Sequence, residues 1–237
     1  LDNLNNIKTK TYGDLKIYSG DWCFSDGSSQ SPVIYLSIAW SGWGKVSAAR
    51  AATRLINHKF NELKIDAIFF TGVAGAINSK LKQWDIVIAS ELIQHDMDAR
   101  PLFKKYEIPA LKTARITSNE SISNWTYNSL KKSIKEGSLE SFGDLHKGLI
   151  ATGDKFLSDK NEVENISKDI KDLLAVEMEG ASVAQVARQE EIPFQIIRVI
   201  SDEADESSPE DFSQFLSKYN QHSAKLVSAL VENIKSF

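Results

Sequence analysis

Short runs of β-branched and aromatic residues alternate along this chain with stretches of helical apolar period, and that alternation admits few folds. Runs at 67–71, 85–90, 147–152, 173–176 and 194–200 are largely apolar, as strands covered on both faces are. Between them, Val46, Ala49, Ala52, Leu55, Ile56 and Phe60 recur on one face and predict a helix over 45–63. Further helices are predicted within 117–135, over 159–169 and over 179–189. The last helix has the clearest start, with Ser208 as N-cap, Pro209 at the first helical position, and Glu210 and Asp211 in the first turn. Its apolar face is Phe212, Phe215, Leu216, Tyr219, Leu226, Val227, Leu230 and Ile234. Two earlier runs, 15–19 and 33–40, read as strands joined by a segment with a turn at Asp26, Gly27 and Ser28. Strands interleaved with helices imply one domain over 1–237, a three-layer α/β/α sandwich around a central mixed, largely parallel sheet.

Composition removes several function classes. The net charge of −4 argues against a nucleic-acid binder, which needs clustered Lys and Arg. The basic doublets Lys104–Lys105 and Lys131–Lys132 read as solvated surface. Cys23 is the single cysteine, so no internal disulfide forms, and His58, His95, His146 and His222 lack zinc-site spacing. No apolar run approaches the ~18 residues of a membrane span. Neither a membrane partner nor a secretory leader is expected, and the cytoplasm is the expected compartment.

In open α/β sheets, ligand chemistry collects at the carboxyl ends of the strands. Glu177 and Glu179 flank Met178 where the 173–176 run meets a helix, and Asp202 follows a run that contains Arg198 and ends beside Ser201. The two glutamates share a side only if the strand continues through both, and they diverge if the helix begins at Glu179. Ser41, Gly42, Trp43, Gly44 and Lys45 end one strand and open a helix, which suits either a backbone approach to a ligand or a tight turn. The small-residue stretch from Thr71 through Val73 and Gly75 to Ala76 is too short for a dinucleotide fingerprint; it packs on a ligand or simply turns. Phe156 could stack on a flat base while the Leu157 backbone reads its edge, or it could cap the core. Met178 is either core or the apolar floor of a sugar. Asp96 and Asp98 with His95 form a conceivable metal set, but a loop lining a pocket or a subunit contact is the better reading. Glu203, Asp205 and Glu206 read as a solvated acidic loop.

Taken in order, these motifs resemble the purine nucleoside phosphorylase superfamily, and within it the 5′-methylthioadenosine/S-adenosylhomocysteine nucleosidases, over roughly residues 15–237. The resemblance implies that Asp202 protonates a departing adenine at N7 and that Glu179 grips the ribose hydroxyls above Met178. It implies that Phe156 stacks on the base, that Leu157 bonds its edge through backbone, and that Gly75 lies beside the ribose. Arg198 is implied near the nucleophile; from the residues alone, Ser201 could orient the Asp202 carboxyl, and Glu177 could serve structure or the pocket wall. Val73 stands where these nucleosidases usually carry serine. General acid catalysis of the leaving group and a fixed carboxylate near the developing oxocarbenium are the chemistry such a set supplies.

The resemblance further implies a nucleoside as the small-molecule partner, no metal or organic cofactor, a homodimer, and a 96–109 loop shaping the pocket for the 5′-substituent. Phosphorylases of the superfamily bind phosphate with an arginine where this chain has Phe70, which points to water as nucleophile. Phosphorolysis, with Gly42 and Gly44 touching the anion, and nucleoside binding without turnover stand as alternatives. The family also begins with an apolar strand followed by the glutamate that activates water, and residues 1–13 do not resemble it. That strand is expected upstream of Leu1.

Overall fold

The computed structural model describes residues 3–24, 33–204 and 208–234; the turn expected at Asp26, Gly27 and Ser28 lies outside them. Strands β1 (Leu4–Tyr12), β2 (Leu15–Trp22) and β3 (Tyr35–Ala39) form an antiparallel sheet of their own. The strands expected at 15–19 and 33–40 are thus present and pair outside the mixed central sheet. Strand β1 was not legible as a strand because only Leu4 in it is buried; it is an edge, and Lys8 and Lys10 guard that edge against pairing with other chains.

The second sheet is six-stranded. It contains β4 (Ile68–Ala76), β5 (Ile86–Gln94), β6 (Arg115–Thr117), β7 (Leu145–Thr152), β8 (Leu173–Glu177) and β9 (Phe194–Asp202). Pairs β4–β9, β5–β7 and β7–β8 are parallel, whereas β4–β8, β5–β6 and β5–β9 are antiparallel. Because β5 pairs with both β7 and β9, the strands β5, β7, β8, β4 and β9 close into a ring.

Helices α1 (Lys45–Ile56), α2 (Glu120–Lys135), α3 (Lys160–Asp169), α4 (Gly180–Gln189) and α5 (Ser208–Glu232) connect or follow the strands. Alternation along β5 divides the core. Val87, Ala89 and Leu92 join Ala48 and Ala52 of α1 and Ala181, Ala184 and Ala187 of α4. Ile86 and Ile88 instead join Trp125 and Leu130 of α2 and Phe215, Leu226 and Leu230 of α5. The alanines keep α1 and α4 close, so the start of α1 lies near the start of α4. Helix α1 is shorter than its apolar period suggested: Asn57 caps it, and Phe60 reaches the core from a bridge with Leu63.

Strands β8 and β9 both end against the carboxyl half of β4, where Gly75 pairs with Val176 on one side and Asp202 on the other. That junction carries the site.

Candidate active site

Strand β8 ends at Glu177 and α4 begins at Gly180, so Glu179 occupies the N-cap position and the two glutamates diverge. Glu177 turns inward. Its Oε2 accepts hydrogen bonds from the backbone N–H of Glu179 at 3.0 Å and of Gly180 at 2.7 Å, and from Arg198 Nη2 at 2.7 Å and Nε at 3.1 Å. Its Oε1 accepts from the Thr152 hydroxyl, whose oxygen also accepts from Ala181 N–H at 2.8 Å. The Glu177 side chain is 2% exposed, so both of its oxygens serve the start of α4 rather than reaching the ligand space expected of it. An inward carboxylate here satisfies N–H groups that the first helical turn leaves orphaned.

Arg198 is fully buried. Beyond Glu177, its Nη1 donates to the carbonyls of Ile197 at 3.1 Å and Phe70 at 3.3 Å, and its guanidinium carbon lies 4.3 Å from the Phe70 ring centroid. A buried ion pair so bonded is costly to break from one side.

Glu179 points the other way, to the glycine loop before α1. Its Oε1 accepts the Gly44 N–H at 2.7 Å. Gly44 has φ of 86°, a conformation that favours glycine and aims this N–H outward. Burial pushes the Glu179 carboxyl above the usual 4.5, the Glu177 charge adds to this, and the Gly44 N–H and Arg198 oppose it. Met178 is half-buried between the two acids.

Asp202 closes β9. It is 5% exposed, and it accepts from the Ser201 hydroxyl at 2.6 Å and from Ala204 N–H at 3.0 Å. Ser201 therefore orients the acid. Gly75 is needed opposite: a Cβ there would stand 2.9 Å from Asp202 Oδ1. Val73, expected at the sugar, packs instead against the α2–α5 cluster, because its side chain falls on the opposite face of β4 from Phe70 and Ala74.

The turn after β7 brings in the aromatic element. Phe156 is half-buried and meets Phe212 of α5 edge-on, with centroids 5.6 Å apart, and Phe212 meets Trp43 at 5.8 Å. Leu157 is buried in the cluster around Ala151 and Val176, which leaves its backbone as the part able to face a ligand. Sequence reasoning did not anticipate Phe212 as the ring that meets Phe156, nor the bond by which Lys45 N–H joins Asp154. Asp154 lies in the Gly153–Leu157 stretch that follows β7. Asp96 binds Lys45 and Asp98 binds Arg100, so the acids of the conceivable metal set are engaged by separate cations.

The carboxylate at the start of α4 and the buried acid at the end of β9 both stand at the carboxyl ends of strands in a mixed α/β sheet. The chain belongs to the phosphorylase superfamily, whose family model matches residues 4–232. Within it, the chain belongs to the 5′-methylthioadenosine/S-adenosylhomocysteine nucleosidase family. It is 34% identical over 236 residues to the nucleosidase of that name from Bacillus subtilis strain 168, covering 98% of this chain and 92% of the relative. The Neisseria meningitidis enzyme of the same name, solved with methylthio-immucillin-A, superposes with a TM-score of 0.83 at 31% identity, covering 98% of this chain and 92% of that one. Futalosine hydrolase of Helicobacter pylori strain 26695 follows at a TM-score of 0.79 and 30% identity, covering 96% and 88%.

Proposed function

We propose that this protein hydrolyses the N-glycosidic bond of 5′-substituted adenosines such as methylthioadenosine and S-adenosylhomocysteine, releasing adenine and the modified ribose. The observation that carries the reading is Gly75, which pairs with Asp202 and with the end of the strand that leads to Glu179. Asp202 delivers the proton to N7 of the leaving adenine. Glu179 keeps one oxygen on Gly44 and offers the other to the ribose hydroxyls, where its charge stabilises the developing cation. Met178 floors the sugar, Phe156 stacks on the base and the Leu157 backbone reads its edge. Glu177, Arg198 and Ser201 act by holding Glu179 and Asp202 in place.

Water is the acceptor. A phosphate dianion needs a cation, and the Phe70 ring covers the Arg198 guanidinium, which is already committed to Glu177. The relatives act on small nucleosides, and the free Cys23 fits a cytoplasmic compartment. Among the described residues no helix is long and apolar enough to cross a membrane.

A second copy of the chain completes the assembly in this reading. Val46 and Leu102 are 81% and 84% exposed, and the Lys45–Asp96 ion pair draws their two segments together. Sedimentation should give a dimer that Leu102→Asp weakens. The deciding assay is adenine release from methylthioadenosine in phosphate-free buffer; a strict phosphate requirement would move the protein to the phosphorylases.

A further inference from the structure

Helix α1 begins without a side-chain cap of its own. Its first two N–H groups are taken by carboxylates from distant parts of the chain. Gly44 N–H donates to Glu179 at 2.7 Å, and Lys45 N–H donates to Asp154 Oδ1 at 2.8 Å. Adjacent amides of one helix start thus hold the carboxylate assigned to the ribose and the turn that carries Phe156. Such amides are orphaned donors at the positive end of the helix, and carboxylates are their preferred partners.

The second attachment is braced. Asp154 N–H donates to Asp96 Oδ2 at 2.9 Å, and Lys45 Nζ binds Asp96 at 2.6 Å and approaches Asp154 at 3.8 Å. Behind the turn sits the His95 ring; a Cβ on Gly153 would stand 2.3 Å from its Nε2. His95 N–H in turn bonds the Thr152 carbonyl at 2.9 Å. The turn is therefore wedged on one side and tied on the other.

We propose that Asp154 is a positioning residue that couples the base-stacking turn to the ribose carboxylate through the start of α1, with Lys45 and Asp96 bracing it. The inference rests on the nucleosidase reading. Asp154 touches neither base nor sugar. Its work is to keep Phe156 at a fixed height relative to Glu179, so that adenine binding and ribose binding reinforce each other. Without the tie, the turn populates positions that cannot stack, and apparent affinity falls with the competent fraction.

The test uses Asp154→Ala, Asp154→Asn and Lys45→Met, with adenine and 5-methylthioribose as probes in calorimetry. In the unaltered protein, saturating adenine should tighten 5-methylthioribose binding. Asp154→Ala should raise the Kd of adenine about tenfold, as loss of a helix cap with loss of competent turn would. It should also abolish the mutual tightening, while kcat changes less than KM. Asp154→Asn keeps an oxygen for the Lys45 N–H and should restore most of both. Lys45→Met keeps the backbone attachment and should fall between. Unchanged adenine affinity in Asp154→Ala, or mutual tightening that survives it, overturns the coupling. If Asp154→Ala does not fold, a Lys45→Met protein with full tightening overturns it equally. An unaltered protein that neither binds nor releases adenine sinks the nucleosidase reading itself.

Discussion

The backbone N–H of Gly44 lies 2.7 Å from Oε1 of Glu179, joining a glycine loop to an acid far along the chain. The bond engages one carboxylate oxygen and opposes the burial that pushes the Glu179 carboxyl above its usual value.

Glu179 should therefore show its proton in the kinetics. Only the ionised form accepts from two ribose hydroxyls, so kcat/KM should fall on the acid side with a midpoint above 4.5. Glu179→Gln keeps an acceptor for Gly44 yet lacks the charge, and should lose roughly 10²–10³-fold in kcat. Stability moves oppositely. A group whose folded value is raised gives stability fully present below the unfolded value and lost as pH rises through the folded one. Glu179→Gln should then resist urea at least as well as the unaltered protein at pH near 8, with the difference shrinking toward pH near 5. A variant less stable at the higher pH contradicts this account.

Asp202→Asn tests the acid. Asn keeps an oxygen for the Ala204 N–H and can donate its amide to the Ser201 hydroxyl oxygen, but has no carboxylic proton, so turnover of methylthioadenosine should drop about 10²–10⁴-fold with its Kd little changed. Single-turnover rates and equilibrium binding on one preparation separate the two effects. Near-normal turnover removes Asp202 from the chemistry.

Phe156→Ala should weaken adenine binding by about 0.5–1.5 kcal/mol beyond the lost contact area. Phe156 is half-buried and meets Phe212 in an edge contact, so the melting temperature should shift little. An unchanged Kd in a folded variant returns Phe156 to the packing of α5.

Arg198→Met should cost roughly 3–5 kcal/mol in urea unfolding, because it strands the buried Glu177 charge. Adding Glu177→Gln should recover part of that loss, a non-additivity that a double-mutant cycle reads directly. Strictly additive losses would show that the pair is not coupled.

The strands and most helices were legible because runs such as 194–200 are largely apolar, and every residue of β9 is indeed buried. Strand β1 was not, since a polar edge strand owes its form to pairing with β2 rather than to an apolar face. The acids Asp202 and Glu179 could be picked out by their place after buried runs. Which of Glu177 and Glu179 turns inward depended on where α4 begins, a boundary that one or two residues decide. Val73 shares a face of β4 with Phe69, and the run of small residues around it carries no mark of which face meets a ligand. The Lys45, Asp96 and Asp154 group joins three segments distant in sequence, and no local pattern announces such a meeting.

Ring closure of the larger sheet has a thermal consequence. Strand β9 is hydrogen-bonded on one side to β4 and on the other to β5, so it has no free edge along Ile197–Val199 from which to peel. Asp202 at its tip is carried by a strand held from both sides. Heating should therefore leave the catalytic rate following ordinary Arrhenius growth up to the cooperative melt, with inactivation and loss of the fold arriving together rather than in succession.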